Sequence, residues 1–207
     1  MLISPTSTKK IENGIYAVIT GISNFYIIKA DEKLIAFDTG MNAVMSRAGF
    51  KKLGLDPNDV SHVFLTHSDY DHTGGLSLFK NAKVYLSKKE VPMINGQQPR
   101  LLILRNSKIS GYITLEDRQT ITAGNREIQI ISTPGHTVGS ACYMIDGTVL
   151  VSGDTLRTSK NGNITPFLFI QNMNHAGDKL SLAMLKDEGF LYRTKLILTG
   201  HTGILSK

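Results

Sequence analysis

Thr66-His67-Ser68-Asp69-Tyr70-Asp71-His72 follows a run of β-branched and apolar residues, Val60 to Leu65, and leads into Thr73-Gly74-Gly75. The apolar run reads as a short strand, and chemistry begins where that strand stops. Two imidazoles and two carboxylates lie between His67 and His72, a donor set suited to a borderline divalent cation such as zinc, iron or manganese. One such cluster is weak support for a metal site. Three more occur further along the chain: His136 in Thr133-Pro134-Gly135-His136-Thr137, Asp154 in Ser152-Gly153-Asp154-Thr155, and His201 in Thr199-Gly200-His201-Thr202. Each follows a predicted strand in a loop rich in Gly, Thr or Ser. Four strand ends converging on one edge would build a site with open positions for water and substrate.

Outward from this run, strands and helices alternate. Gly14 to Ile19, Phe25 to Ile28 and Leu34 to Phe37 read as an antiparallel meander ending in Asp38-Thr39-Gly40. Met41 to Leu53 reads as a helix closed by Gly54. Gly74-Gly75 with Leu76, Leu78 and Phe79 predicts the start of another helix, and Lys83 to Leu86 a strand. From Glu90 to Gly111 the pattern weakens, and the apolar run Leu101 to Leu104 suits either a helix or a flap. Strands are expected over Gly111 to Leu115, Gln119 to Thr122, Glu127 to Ile131, Ala141 to Ile145, Thr148 to Val151 and Thr194 to Leu198. A last helix is predicted from Asp178 to Glu188, with Leu180, Ala183, Met184 and Asp187 on one face. Strands grouped in each half and followed by helices imply an α/β fold of two sheets packed face to face, with helices outside.

The ordered set of ligand-type residues resembles the metallo-β-lactamase superfamily, whose pattern is His-x-His-x-Asp-His, a later His, an Asp and a final His. The resemblance spans nearly the whole chain, with separations of 64, 18 and 47 residues from His72 through His136 and Asp154 to His201. It implies an αββα sandwich of two mixed β-sheets flanked by helices, formed by a single domain over residues 1–207, with the site at the sheet edge. It further implies two divalent metal ions, His67, residue 69 and His136 holding the first, and Asp71, His72 and His201 the second. Asp154 would bridge them, and Asp71 would orient the nucleophile and take its proton. Asp69 departs from the pattern, which has His there; flavodiiron proteins of the superfamily carry Glu at this place. Zinc is the expected metal, and Asp69 brings in iron or manganese, since it adds a negative charge and a hard oxygen.

The activity implied is hydrolysis of a small, anionic ester, thioester, lactone or phosphodiester by metal-activated water. Two alternatives stay open: an iron-dependent redox enzyme related to the flavodiiron proteins, and a non-catalytic metal-binding or sensing module. Arg157 is a candidate for meeting an anionic group on the substrate. His62 and His175 fit no ligand position, and His175 is the better placed of the two to line a pocket.

The chain has 207 residues, a net charge of +6 and one cysteine, Cys142, in an apolar run read as a buried strand. No secretory or membrane-spanning segment is visible, so a cytoplasmic protein without membrane partners is expected. Only six residues follow His201, which favours a small-molecule substrate over a larger one. Most of the basic excess lies between Lys83 and Arg126, with eight basic residues against three acidic. Aromatic residues are sparse there, so nucleic acid is not an expected partner. The stretch from Glu90 to Gly111 is a candidate lid or homodimer contact, and the oligomeric state is left open.

Overall fold

The computed structural model describes residues 3–12, 14–100, 106, 108–159 and 161–207. The Leu101 to Leu104 run lies outside them. The first sheet has seven strands in sequence order: β1 (Lys9–Glu12), β2 (Ile15–Thr20), β3 (Ser23–Ala30), β4 (Lys33–Phe37), β5 (Val60–Phe64), β6 (Lys83–Ser87) and β7 (Tyr112–Leu115). β2 to β4 pair antiparallel as the predicted meander, β1 adds an unpredicted antiparallel strand at its edge, and β4 to β7 pair parallel. The second sheet contains β8 (Thr120–Ala123), β9 (Arg126–Ser132), β10 (Ala141–Ile145) and β11 (Val149–Gly153). A separate hairpin, β12 (Leu156–Thr158) and β13 (Ile164–Pro166), precedes its last strands, β14 (Leu196–Thr199) and β15 (Ile204–Ser206). β11 and β14 run parallel and the remaining pairs of this sheet antiparallel. Both sheets are therefore mixed.

Alternation along the strands sorts the core into layers. Tyr26 and Ile28 of β3 face Ile130, Tyr143 and Ile145 of the second sheet, forming the core between the sheets. Phe25 and Ile27, one position out of phase, face outward and pack with Phe50 of helix α1 (Ala43–Leu53). On the second sheet Cys142 and Met144 of β10 face the other way, against Leu182 and Leu185 of a C-terminal helix. Helix, sheet, sheet and helix make the expected αββα sandwich. Cys142 is fully buried, and burial pushes its thiol up to about 12.

Helix α1 begins where Asn42 accepts from the Met45 amide and ends at Gly54, whose φ of 68° suits glycine. The longer helix expected after Gly74 does not form. A single helical turn, α2 (Tyr70–Thr73), precedes Gly74, and only a 3-10 turn over Leu76–Leu78 follows it. Another short helix, α3 (Val91–Ile94), follows a 3-10 turn at Lys88–Glu90. α4 (His175–Asp187) starts three residues before the prediction, capped by Asn174, and α5 (Phe190–Arg193) follows it. Its buried face also differs. Leu180 is 71% exposed, whereas Asp178, Ser181, Leu182 and Leu185 are buried, because Asp178 accepts hydrogen bonds from Phe167 N and Asn172 Nδ2. Among the described residues no helix is long and apolar enough to cross a membrane.

Two tyrosines cross the sandwich and each fixes a strand end of the opposite sheet. Tyr143 donates to the carbonyl of Leu65 (2.9 Å), just before the Thr66 to His72 run, and Tyr26 donates to the carbonyl of Thr199 (2.8 Å), just before Gly200-His201. Both rings are buried, so each hydroxyl needs a partner, and these carbonyls supply it.

Candidate metal centre

His67 to His72 follow β5, His136 follows β9, Asp154 follows β11 and His201 follows β14. The four strand ends meet at one edge of the sandwich, as the sequence predicted. His72 Nε2 and His201 Nε2 are 3.5 Å apart. Asp154 lies between the two halves of the cluster: its Oδ1 is 3.4 Å from His72 Nε2, and its Oδ2 is 3.1 Å from His201 Nε2 and 3.4 Å from His136 Nε2. Asp71 Oδ2 is 3.3 Å from His201 Nε2 and 3.7 Å from His72 Nε2. The donor atoms fall into two groups, His67 with His136 and Asp154, and Asp71 with His72 and His201, each with its atoms within 4.8 Å of one another, close enough to hold a metal ion.

The outer nitrogens explain why the inner ones converge. His72 Nδ1 is 2.8 Å from Asp38 Oδ2, His201 Nδ1 donates to the carbonyl of Ile22 (2.8 Å), and His136 Nδ1 is 3.1 Å from Asn172 Oδ1. His67 Nδ1 is 3.0 Å from Thr66 Oγ1, whose one hydrogen goes to Asp38 Oδ2 (2.8 Å), so the imidazole donates to the hydroxyl. Every Nδ1 is thereby engaged, which aims every Nε2 into the cluster. Among the described residues, His67 Nε2 and Asp154 Oδ1 are buried without a hydrogen-bond partner. Buried polar atoms left unsatisfied at the centre of a His and carboxylate cluster fit a divalent cation.

The charges respond to one another. Burial disfavours ionised Asp154, but His201 and His72 outweigh it and hold the carboxyl well below its usual range. Burial likewise opposes protonation of His201, yet Asp154 and Asp71 push it up to about 10. His72 is raised in the same way by Asp154, Asp71 and Asp38 against the effect of burial.

Asp69 occupies a different position. Its carboxylate accepts from Arg100 Nε at both oxygens (2.8 and 2.9 Å) and from Asn106 Nδ2 at Oδ1 (3.2 Å), while Oδ2 lies 3.2 Å from His136 Nε2 and 3.6 Å from His67 Nε2. Burial opposes its ionisation, and His136 and His67 hold it well below the usual value. Glu90 braces the loops from beneath. It is fully buried, accepts from Ser68 N (2.9 Å) and Ser68 Oγ (2.5 Å) at one oxygen, and from Thr137 Oγ1 (2.8 Å) and Gly139 N (3.0 Å) at the other. Sequence reading missed Arg100, Glu90 and Asn172, and gave Asp38 no role. Arg100 and Glu90 sit in the weakly patterned basic stretch, where nothing local marks them.

The His and carboxylate cluster floors a cavity of about 440 Å³ rimmed by Ile22, Tyr70, Arg100, Asn106 and Gln171. Arg157 lines another cavity, of about 580 Å³, with Thr158, Asn163 and Thr202. His175, the first residue of α4, packs edge-on against Phe169 and receives Asn172 Nδ2 on its Nδ1 at 3.0 Å, so it touches the support of His136 rather than the cavity. His62 stacks beside Phe64 and Tyr85 on the first sheet, away from the cluster.

Residues 18–201 match the family model of the metallo-β-lactamase superfamily. A probable polyketide biosynthesis zinc-dependent hydrolase of Bacillus subtilis is 37% identical over 50% of this chain. The match takes in 42% of that protein, so the chain spans less than half of it. An acyl-coenzyme A thioesterase of Bos taurus is 24% identical over 86% of this chain and 72% of its own. A solved B3 metallo-β-lactamase with an active-site glutamic acid superposes with a TM-score of 0.74, covering 100% of this chain and 85% of its own at 17% identity. With four strand ends delivering a His and carboxylate cluster to one edge of an αββα sandwich, and the family model spanning that whole arrangement, the chain belongs to the metallo-β-lactamase superfamily.

Proposed function

We propose that this protein is a metal-dependent hydrolase of a small ester, thioester or lactone, with two divalent cations, zinc foremost, at the strand-end cluster. The observation that carries the reading is Asp154, whose two oxygens face His72 on one side and His136 and His201 on the other. His67, His136 and Asp154 would hold one ion, and Asp71, His72 and His201 the other, with Asp154 shared. Asp69 stands at the margin of the first group. Bound cations supply a water whose pKa is low enough to give hydroxide near neutral pH. Asp71 lines the cavity and is the carboxylate placed to take a proton from that water. Burial opposes its ionisation, but His72 and His201 hold its carboxyl below the ordinary range.

The cavity suits a substrate with a polar reacting centre and an apolar neighbour. Ile22 and Tyr70 are 48% and 58% exposed at its rim, and Arg100 and Asn106 present N–H groups beside Asp69. The thioesterase relative, by its name, acts on acyl thioesters, and exposed Ile22 and Tyr70 at the rim are apolar surface against which an acyl group would pack. Arg157 lies in the neighbouring cavity, so a role in anion recognition would fall to a distal part of the substrate.

Elemental analysis of the purified protein, paired with an ester, thioester, lactone and phosphodiester panel, tests this reading. Two equivalents of metal and turnover of at least one acyl substrate, both lost in Asp154→Ala, are expected. A fully metallated protein inert across the panel would sink the proposal.

A further inference from the structure

Arg100 is buried, at 7% exposure, and its guanidinium is shared among three partners of the site. Its Nε donates to both oxygens of Asp69, and its Nη2 donates to the carbonyl of Gln171 (2.6 Å) and lies 3.0 Å from His136 Nε2. A guanidinium stays charged at any pH the fold survives. The negative charge that Asp69 brings to the cluster is therefore matched, within hydrogen-bonding distance, by a positive one 31 residues along the chain.

We propose that Asp69 and Arg100 act as one neutral unit standing where the superfamily pattern has a neutral imidazole, and that Arg100 is the positioning residue keeping the first metal site selective for zinc. This inference rests on the two-metal reading above. Two dications, three aspartates and a bridging hydroxide would sum to no net charge; Arg100 returns the centre to the single positive charge that a histidine at position 69 would leave. The geometry acts in the same direction. Both Asp69 oxygens already accept N–H donors, which lowers their strength toward a cation. Released from Arg100, the same carboxylate becomes a hard, anionic oxygen beside His67 and His136, the donor change that favours manganese or ferrous iron over zinc.

The test is metal competition, which needs no turnover. Chelator-stripped wild type, Arg100→Met and the double variant Asp69→His with Arg100→Met are each titrated with Zn(II) and with Mn(II) against a competing chelator. Thermal unfolding in chelator reports whether each variant folds. Arg100→Met is expected to shift the zinc-to-manganese affinity ratio toward manganese by about tenfold or more, and the double variant to restore it. An unchanged ratio in Arg100→Met, or no restoration in the double variant, overturns the proposal. Should Arg100→Met not fold, Asp69→Asn and Asp69→Asn with Arg100→Met carry the test. The first leaves a cation unmatched at the site and weakens zinc binding; the second recovers it by about tenfold. Absence of that recovery also overturns the proposal. A protein that shows these shifts yet hydrolyses nothing would leave the inference standing and remove the proposed activity.

Discussion

Asp38 Oδ2 lies 2.8 Å from His72 Nδ1, and the same carboxylate accepts from Thr66 N (2.7 Å) and Thr66 Oγ1 (2.8 Å). One side chain thus sets the tautomer of His72 and pins the strand end that launches His67. Asp38 does this from a φ of 62°, a left-handed conformation that Asp adopts more readily than most residues. Asp38→Ala is expected to lower metal affinity by about tenfold to hundredfold, as loss of a ligand's outer partner does. Chelator competition measures it, and an unchanged affinity would argue against the role.

Glu90 ties the His67 loop to the His136 loop through four donors. Glu90→Ala leaves the amides of Ser68 and Gly139 buried and unpaired, for a destabilisation of about 3 kcal/mol. Urea unfolding in chelator is the measurement, and Glu90→Gln should fall between the variant and the wild type because it keeps the shape and one acceptor. Equal stability of all three proteins would refute the bracing role.

Gly200 precedes His201, and a β-carbon there would collide with Asp154 Oδ1 and come within 2.8 Å of His72 Cε1. Gly200→Ala should therefore displace the shared carboxylate and cost about hundredfold in metal affinity. The expected change in unfolding midpoint of the stripped protein is small by comparison. A variant that still binds two equivalents tightly would show that Asp154 does not hold the ions.

The pH dependence follows from the raised imidazoles. His201 rises from 6.5 to about 10 in the folded chain, and His72 is raised as well. Groups whose folded pKa is raised contribute stability that is complete below the unfolded value and disappears as pH climbs through the folded one. The stripped protein should accordingly lose stability between pH 6.5 and about 10. Metal binding must displace these protons, so its affinity should climb over the same window, with about two protons released for the ion at Asp71, His72 and His201 near neutral pH. Calorimetry in buffers of different ionisation enthalpy measures the release. Binding without proton release would contradict the assignment.

Much of the architecture was legible in the chain because it is local. Continuous apolar runs in Phe25 to Ile28 and Ala141 to Ile145 mark strands covered on both faces, and the structure brings six of the seven ligand-type residues into two groups. Helical spacing misled at α4, where Leu180 is exposed and Asp178 is inside, since a buried carboxylate serving Phe167 and Asn172 outweighs the apolar count. The helix expected after Gly74 was cut short for a similar reason. Gly74 and Gly75 press against the backbone of Met41 and Thr39, and their role is close approach to the Asp38 turn.

The sequence by itself determined most of the strands and the strand ends at which His and carboxylate residues gather, because each depends on neighbours within a few positions. Only the tertiary structure decided what Asp69 is. Read along the chain it adds an uncompensated charge to a metal site; folded, it faces Arg100, and Ser68 beside it faces Glu90. Those partners lie 31 and 22 residues away with no periodicity to connect them. Charge compensation of this kind is set by distance in space, which the chain fixes only once the sheets have packed.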